Sequence, residues 1–269
     1  MANRTLVTKD DSLLTALGGT VNANDDVFLN KWGINFNPAD LSASDLKSFT
    51  AGSEFDGEFS AAAGAQLTLV VNQTSTGIFT NESRSRRIEL VSSSGSGVIY
   101  KIVHRPVAGG MLFVNTATAN EYVQQGGQSI LESGLTLTTH YQQGGTSIIR
   151  YGSTAITTLT LCMDAILDLY RDITNGYVEG SSTLRLMDTR VVPASIALRG
   201  GTLKIVECGT IAALTGCGTL DLTECRYPFT ITTRTLEPGS IIIQRRGTNW
   251  MTLGSNADRF GGPKIVTVD

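Results

Sequence analysis

Three acidic residues recur at nearly equal intervals in the C-terminal half of the chain. Asp188, Glu207 and Glu224 are separated by 19 and 17 residues, and each follows a short aliphatic run. If the chain repeats at this interval, the three carboxylates stack in a row. Such a row could hold Ca²⁺ or supply the acid and base of a glycosidase. We favour solvated turns, because Arg190 and Arg226 are close by and adjacent coils bring acids nearer than the ~5–9 Å that glycosidases require.

Other residue types that carry chemistry lack the partners they need. His104 and His140 are the only histidines, 36 residues apart, and no Cys-x-x-Cys or His-x-x-x-His spacing accompanies them. No serine occupies a Gly-x-Ser-x-Gly elbow. Gly95-Ser96-Gly97 lacks the third glycine of a dinucleotide-binding loop. The sequence therefore predicts no catalytic, metal-binding or cofactor-binding residue, and we expect the protein not to be an enzyme.

One basic cluster and one tryptophan are candidates for partner contacts. Arg84, Arg86 and Arg87 lie within four residues, and a solvated loop is their commoner explanation. Residues 1–60 hold nine acidic and four basic residues, so this segment of a neighbouring subunit would complement the cluster. Trp32 is expected to anchor an N-terminal module that docks on a partner.

Composition excludes several classes of protein. Only 17% of the 269 residues are charged, the net charge is −3, and the pI near 5.5 does not indicate nucleic-acid binding. No apolar run approaches the ~20 residues of a membrane span. The first residues, Met-Ala-Asn-Arg-Thr, contain no apolar signal core. We expect folding in a cytoplasm, with the four cysteines reduced.

An internal repeat indicates the architecture. Gln124-Gln-Gly-Gly-Gln-Ser-Ile130 recurs as Gln142-Gln-Gly-Gly-Thr-Ser-Ile148, an offset of 18 residues. Aliphatic pairs continue the period, with Leu167, Leu184, Leu203, Leu220 and Ile241 taken as equivalent. At ~3.3 Å per residue, 18 residues give ~60 Å of chain, enough to encircle a narrow core. A unit this short buries its apolar face only by stacking on copies of itself.

The predicted fold is therefore all-β: a parallel β-helix of roughly 17–21 residues per coil with a small mixed N-terminal module. We place the particle-docking module at residues 1–60, a β-rich connecting region at 61–119 and the β-helix at 120–269. Within the module we expect a short helix over 11–19, a strand at Val27-Phe28-Leu29, and a second short helix whose face carries Leu41, Leu46 and Phe49.

The Gln-Gln-Gly-Gly-x-Ser-Ile repeat followed by Leu-x-Leu coils resembles right-handed parallel β-helices. It is similar to autotransporter passenger repeats and to the trimeric β-helical virion proteins of tailed bacteriophages. An autotransporter would carry a signal peptide and a C-terminal barrel, and a tailspike depolymerase a large catalytic helix, so we expect neither of these. The resemblance covers roughly residues 120–260 and therefore favours a compact phage virion protein.

That resemblance implies three functions. The first is a capsid decoration (cement) protein on the exterior of the virion head, a homotrimer bound to the major capsid protein. The second is a tail fibre or receptor-binding protein whose β-helix face binds a host-surface glycan. The third is a polysaccharide-cleaving enzyme with Asp188, Glu207 or Glu224 as acid and base. Length and the acidic N-terminal segment favour the first.

Overall fold

The computed structural model is all-β, as predicted. It describes residues 3–6, 26–29, 48–51, 67–70, 78–82, 87–91, 98–106, 110–115, 118–247, 250–258 and 261–269, whose regular secondary structure is β-strand throughout. The chain divides into two units, residues 1–137 and 138–269. Each unit is a β-solenoid of stacked coils in which every strand pair with a defined register is parallel.

The first unit contains two parallel ladders. Its strands are β1 (Asn3–Leu6), β2 (Asp26–Leu29), β3 (Ser48–Ala51), β4 (Leu67–Val70), β5 (Ile78–Asn81), β6 (Arg87–Val91), β7 (Val98–His104), β8 (Met111–Asn115), β9 (Thr118–Gln124) and β10 (Gln128–Leu131). One ladder runs β1-β2-β3-β5-β7-β9. The other runs β4-β6-β8-β10. Each coil from β4 onward thus contributes one strand to each ladder.

The second unit repeats this plan. Its strands are β11 (Thr136–Gln142), which begins just before the boundary, β12 (Thr146–Ile149), β13 (Ile156–Leu161), β14 (Ile166–Leu169), β15 (Ile173–Glu179), β16 (Thr183–Met187), β17 (Ser195–Glu207), β18 (Thr210–Asp221), β19 (Phe229–Leu236), β20 (Ile241–Arg245), β21 (Met251–Asn256) and β22 (Lys264–Val268). One ladder runs β11-β13-β15-β17-β18-β19-β21. The other runs β12-β14-β16-β17-β18-β20-β22, because the long strands β17 and β18 bend through both.

Stacked aliphatic side chains form the core of the second unit. Leu167, Leu184, Leu203 and Leu220 are in register on successive coils and are fully buried. Each such side chain contributes roughly 1.5–3 kcal/mol relative to an exposed one. The predicted column is confirmed except at its end. The partner of Leu220 is Ile242, which is buried, and not the half-buried Ile241.

A corner of the second unit places residues in the left-handed backbone region, which favours glycine. Gly180 (φ 62°) meets this requirement without a side chain. Met163 takes the same conformation (φ 59°) one coil earlier, and its backbone nitrogen lies 3.7 Å from the position that a Cβ on Gly180 would occupy. Met163 is the only non-glycine residue with a positive φ among the described residues. Its side chain is 63% exposed, so little burial offsets its backbone strain.

The described parts of residues 1–60 are strands. The predicted strand at Val27-Phe28-Leu29 lies within β2, but Phe49 lies in β3 and not in the predicted helix. The reason is register: Phe49 pairs with Val27 on one side and with Phe79 on the other. The predicted helix over 11–19 lies outside the described residues. The assignment of 1–60 as a separate docking module stays a prediction.

Candidate functional site

The predicted acidic row is interrupted by a β-bulge. Leu184 and Leu186 pair with Leu203 and Ile205 as the repeat requires, but Met187 pairs with Glu207. One extra residue in β17 therefore shifts the frame, and Asp188 is not in register with Glu207. Glu224 follows the end of β18, beyond the last ladder pair. The sequence frame was right for the strands and wrong for Asp188, because a bulge leaves no hydrophobic signature.

A cation accompanies each of the three acids. Asp188 accepts hydrogen bonds from Arg190, with Nη2 at 2.6 Å from Oδ2. Glu224 lies 2.7 Å from Lys204 Nζ, and Glu207 lies 3.7 Å from Arg226 Nη1.

These contacts move Asp188 and Glu224 away from general-acid chemistry. Hydrogen bonds from Arg190 lower the pKa of Asp188, and the hydrogen bond from Lys204 lowers the pKa of Glu224. A glycosidase acid needs the opposite shift. Among the residues the structure describes, no group of three or more His, Cys, Asp or Glu side chains could hold a metal ion.

The structure does form a charged column, at other positions and with both signs of charge. Ile148, Asp168, Arg185, Lys204, Asp221 and Ile243 stack as outward residues of successive coils. Arg185 binds Asp168 at 2.9 Å, and Lys204 reaches Asp221 at 3.6 Å. Burial raises the pKa of Asp168, although Arg185 opposes the shift. Opposite charges on neighbouring coils neutralise this column, and aligning the Leu-x-Leu pairs would have revealed it.

The Gln-Gln-Gly-Gly repeat has a structural explanation. In the second unit the buried Gln142 side chain donates to the Gly145 carbonyl at 2.8 Å and to the Ile166 carbonyl at 3.2 Å. His140 Nε2 lies 3.2 Å from Gln142 Oε1, which assigns the proton to Nε2 because the amide oxygen only accepts. Gly145 has φ 75°, which its turn requires.

The first unit builds the same turn from equivalent residues. Gln124 Nε2 donates to the Gly127 carbonyl at 3.2 Å, and Gly127 has φ 67°. Gln124 Oε1 accepts from Tyr122 and from Ser129, at 3.0 and 2.7 Å. The inward glutamine therefore fixes its own glycine turn in both copies. Glutamine is usually a surface residue, so its type alone did not predict an inward position.

Both histidines are fully buried and neutral at physiological pH. Burial lowers the pKa of His104 to about 4, although backbone hydrogen bonds with Gln128 and Gly110 act to raise it. Burial also lowers the pKa of His140 to about 4, against the hydrogen bond to Gln142. Both residues are core components, and among the described residues neither lies in a metal-binding cluster.

None of the four cysteines forms a disulfide in the structure. Cys208 and Cys225 are buried, and desolvation raises the pKa of Cys208 to about 12. A thiol with so high a pKa is a poor nucleophile. Cys162 and Cys217 are partly exposed.

Most of the candidate partner-binding residues lie outside the described part of the chain, namely Trp32, Arg84 and Arg86. Arg87 is the first residue of β6, and its backbone pairs with Met111. Partner binding by these four residues stays a prediction.

Sequence reasoning missed an uncharged face on the second unit, which we call the threonine face. It comprises two outward columns of the ladder that begins at β11. The columns are Thr139, Thr158, Asn175, Ser195, Ala213, Thr233 and Ser255, and Tyr141, Thr160, Tyr177, Ala197, Thr215 and Thr235. None of the thirteen positions is charged. Seven strands at ~4.8 Å spacing extend this face over ~29 Å.

The stacked coils place the protein in the class of β-solenoids. Comparison with family models, with curated proteins and with solved structures finds no match for the chain. None of the described residues forms a helix with the length and apolarity needed to traverse a lipid bilayer.

Proposed function

We propose that the chain is a structural protein of a bacteriophage virion, a decoration protein bound to the exterior of the capsid. Its partners are further copies of itself, as a homotrimer, and the major capsid protein. The threonine face is the observation that carries this proposal. The stacked-coil fold and the resemblance of the repeat to phage β-helices support it.

The threonine face has the composition of a protein-binding surface. Interface centres are depleted in charged residues, and tyrosine is enriched among the residues that dominate binding. Tyr141 and Tyr177 lie within the face, and both are half-buried. Charged residues, including Arg199 and Glu179, lie just beyond the second column. An uncharged centre with a charged rim is the usual arrangement at a binding surface.

A decoration protein acts through buried surface. Binding to the assembled shell, and not to free subunits, stabilises the shell by a mass-action term that grows with the concentration of the decoration protein. A solenoid suits this role because ladder hydrogen bonds already fix its backbone, so little backbone conformational entropy is lost on binding. No bond is made or broken in this function.

The proposal is tested with purified protein and empty phage heads. We expect co-sedimentation with the heads, a rise in their melting temperature and a trimeric mass by light scattering. Thr158→Lys places a charge in the threonine face and should abolish co-sedimentation. Thr219→Lys, on the opposite ladder beside the neutralised column, is the matched control and should bind normally. Absence of binding by the wild-type protein, or equal binding by both variants, would contradict the proposal.

A further inference from the structure

One peptide bond within the threonine face joins the pair of residue types in which asparagine deamidates most readily. Asn175-Gly176 lies in β15 and is the only Asn-Gly sequence in the chain. Asparagine deamidates when the backbone nitrogen of the next residue attacks its side-chain carbonyl carbon. Glycine has no Cβ, so it leaves that nitrogen unhindered. The sequence therefore places a chemically labile pair inside a strand of the solenoid.

Packing explains why a glycine occupies position 176. Gly176 is buried and lies in the inward column between Leu159 and Ile196. A Cβ at this position would lie 2.7 Å from Cδ1 of the buried Ile173. That distance is well inside the ~3.5–4.0 Å separation of packed carbon atoms, so a larger residue would displace Ile173. The narrow core therefore retains the glycine that makes Asn175 labile.

The Asn175 side chain is in contact with solvent and only weakly held. Asn175 is a half-buried residue of the outward column, and its backbone pairs with Thr158 and Ser195 on the neighbouring coils. Its Nδ2 donates to the Thr157 carbonyl at 3.5 Å, which is the upper limit for a hydrogen bond. The side-chain amide is therefore not what protects this pair of residues.

The ladder restrains the reacting backbone nitrogen in the folded protein. β15 is paired with β13 on one side and with β17 on the other, so its backbone amides are engaged in the ladder and its torsions are fixed. Attack requires the Gly176 nitrogen to leave the ladder, lose its proton and turn towards Cγ of Asn175. The reaction is therefore restricted to molecules in which β15 has opened, as strands do in local unfolding.

We propose that Asn175 is a protected deamidation site whose modification records the opening of β15. Once the strand opens, the Gly176 nitrogen forms a bond with Cγ of Asn175, and the side-chain nitrogen leaves as ammonia. Water then opens the resulting succinimide ring at either carbonyl and yields aspartate or isoaspartate. The net reaction consumes one water and releases one ammonia, and it needs no oxidant or reductant.

Either product disturbs the coil. Aspartate places a carboxylate oxygen where Nδ2 donated to the Thr157 carbonyl, so an attraction becomes a repulsion. It is also the first charge within the threonine face. Isoaspartate adds one atom to the backbone, which disrupts the ladder hydrogen bonds with β13 and β17. The reaction is independent of the proposed attachment to a capsid, and a protein that fails to bind heads still tests it.

The test follows the full chain at neutral pH, folded in buffer and unfolded in guanidinium chloride. Trypsin releases residues 172–185 as one peptide in which Asn175 is the only asparagine, so mass spectrometry of this peptide measures the conversion. We expect conversion to be at least about tenfold slower in the folded protein, which corresponds to an opening free energy of about 1.4 kcal/mol or more. Equal rates would overturn the proposal, because the ladder would then give no protection.

Variants separate the chemistry from the opening of the strand. In guanidinium chloride, where folding plays no part, Gly176→Ala should slow the conversion, and Asn256, which precedes Ala257, should react more slowly than Asn175. In the folded protein Ile196→Ala removes packing against Gly176 and should speed conversion several-fold. Ile242→Ala, in β20 away from β15, should not, with circular dichroism confirming both folds. The proposal is overturned if Gly176→Ala reacts as fast as the wild type, or if both isoleucine variants speed conversion equally.

Discussion

Mild acid should destabilise this protein before its carboxylates titrate, because both of its histidines are buried. His104 and His140 are fully inaccessible, and burial lowers the pKa of each to about 4. In the unfolded chain a histidine titrates near 6.5. Between pH 6.5 and 4 the unfolded state therefore binds more protons than the folded state. The stability is full above pH 6.5 and falls as the pH decreases through this window.

The magnitude follows from these two pKa values. At pH 5 a histidine is almost fully protonated in the unfolded chain and mostly neutral in the folded protein. This difference lowers the free energy of unfolding by about 2 kcal/mol for each histidine. The ion-paired acids do not contribute to the loss of stability between pH 6.5 and 5. Asp188 and Glu224 have lowered pKa values, so the stability that they contribute is lost only below the usual carboxyl range. Asp168 has a raised pKa, so its protonation opposes the loss.

The assay is urea unfolding at pH 7, 6 and 5 for the wild type, His104→Gln, His140→Gln and the double variant. Glutamine is neutral and still donates a hydrogen bond, so His140→Gln keeps the contact to Gln142. We expect each single variant to remove about half of the acid-induced loss and the double variant to remove nearly all of it. An unchanged pH dependence in the double variant would refute the assignment to the histidines.

Three further pairs of substitutions test the backbone and the polar core. Met163→Gly should raise the free energy of unfolding by about 0.5–1 kcal/mol by relieving a left-handed backbone, whereas Met163→Ala should give no gain; urea unfolding measures both. Gly152→Ala should cost more than about 2 kcal/mol, because the new methyl overlaps the buried Arg171 guanidinium, and an Arg171→Leu background should reduce that cost in a double-mutant cycle. Gln142→Ala should cost about 2–3 kcal/mol by removing the buried side-chain hydrogen bonds to the Gly145 and Ile166 carbonyls and to His140, and Gln143→Ala, half-exposed beside it, less than about 1 kcal/mol; equal losses would contradict the inward role.

The parallel solenoid could be predicted from the sequence because its physical cause repeats along the chain. A coil buries its aliphatic residues only against the next coil, so the spacing of Leu167, Leu184, Leu203 and Leu220 records the circumference. The spacing of these hydrophobic residues persists from coil to coil because each coil contributes to the same core. The same logic failed at Ile241, because Ile242 and not Ile241 is the inward residue that pairs with Leu220.

Local irregularities and inward polar residues left no comparable signal. The bulge opposite Met187 moved Asp188 out of register with Glu207, and nothing in the composition of β17 marks it. Gln142, His140 and Arg171 are of types that usually lie at surfaces, and tertiary hydrogen bonds keep the glutamine and histidine inside. Phe49 had helical spacing, yet pairing with Val27 and Phe79 places it in a strand.

The two outward surfaces of the second unit differ in what a partner would have to displace. On the column from Asp168 to Asp221, opposite charges on adjacent coils already satisfy one another, so covering them would remove water from ion pairs without adding contacts. The threonine face presents methyl groups, hydroxyls and two tyrosine rings, and Arg199, which stacks on the Tyr177 ring, is already paired with Glu179. Covering this face therefore buries apolar area at a small desolvation cost. The same repeat builds both surfaces, and they differ only in the residue types at their outward positions. The threonine face is therefore the surface on which we place the proposed partner, and Thr158→Lys with Thr219→Lys distinguishes it from its neutralised counterpart.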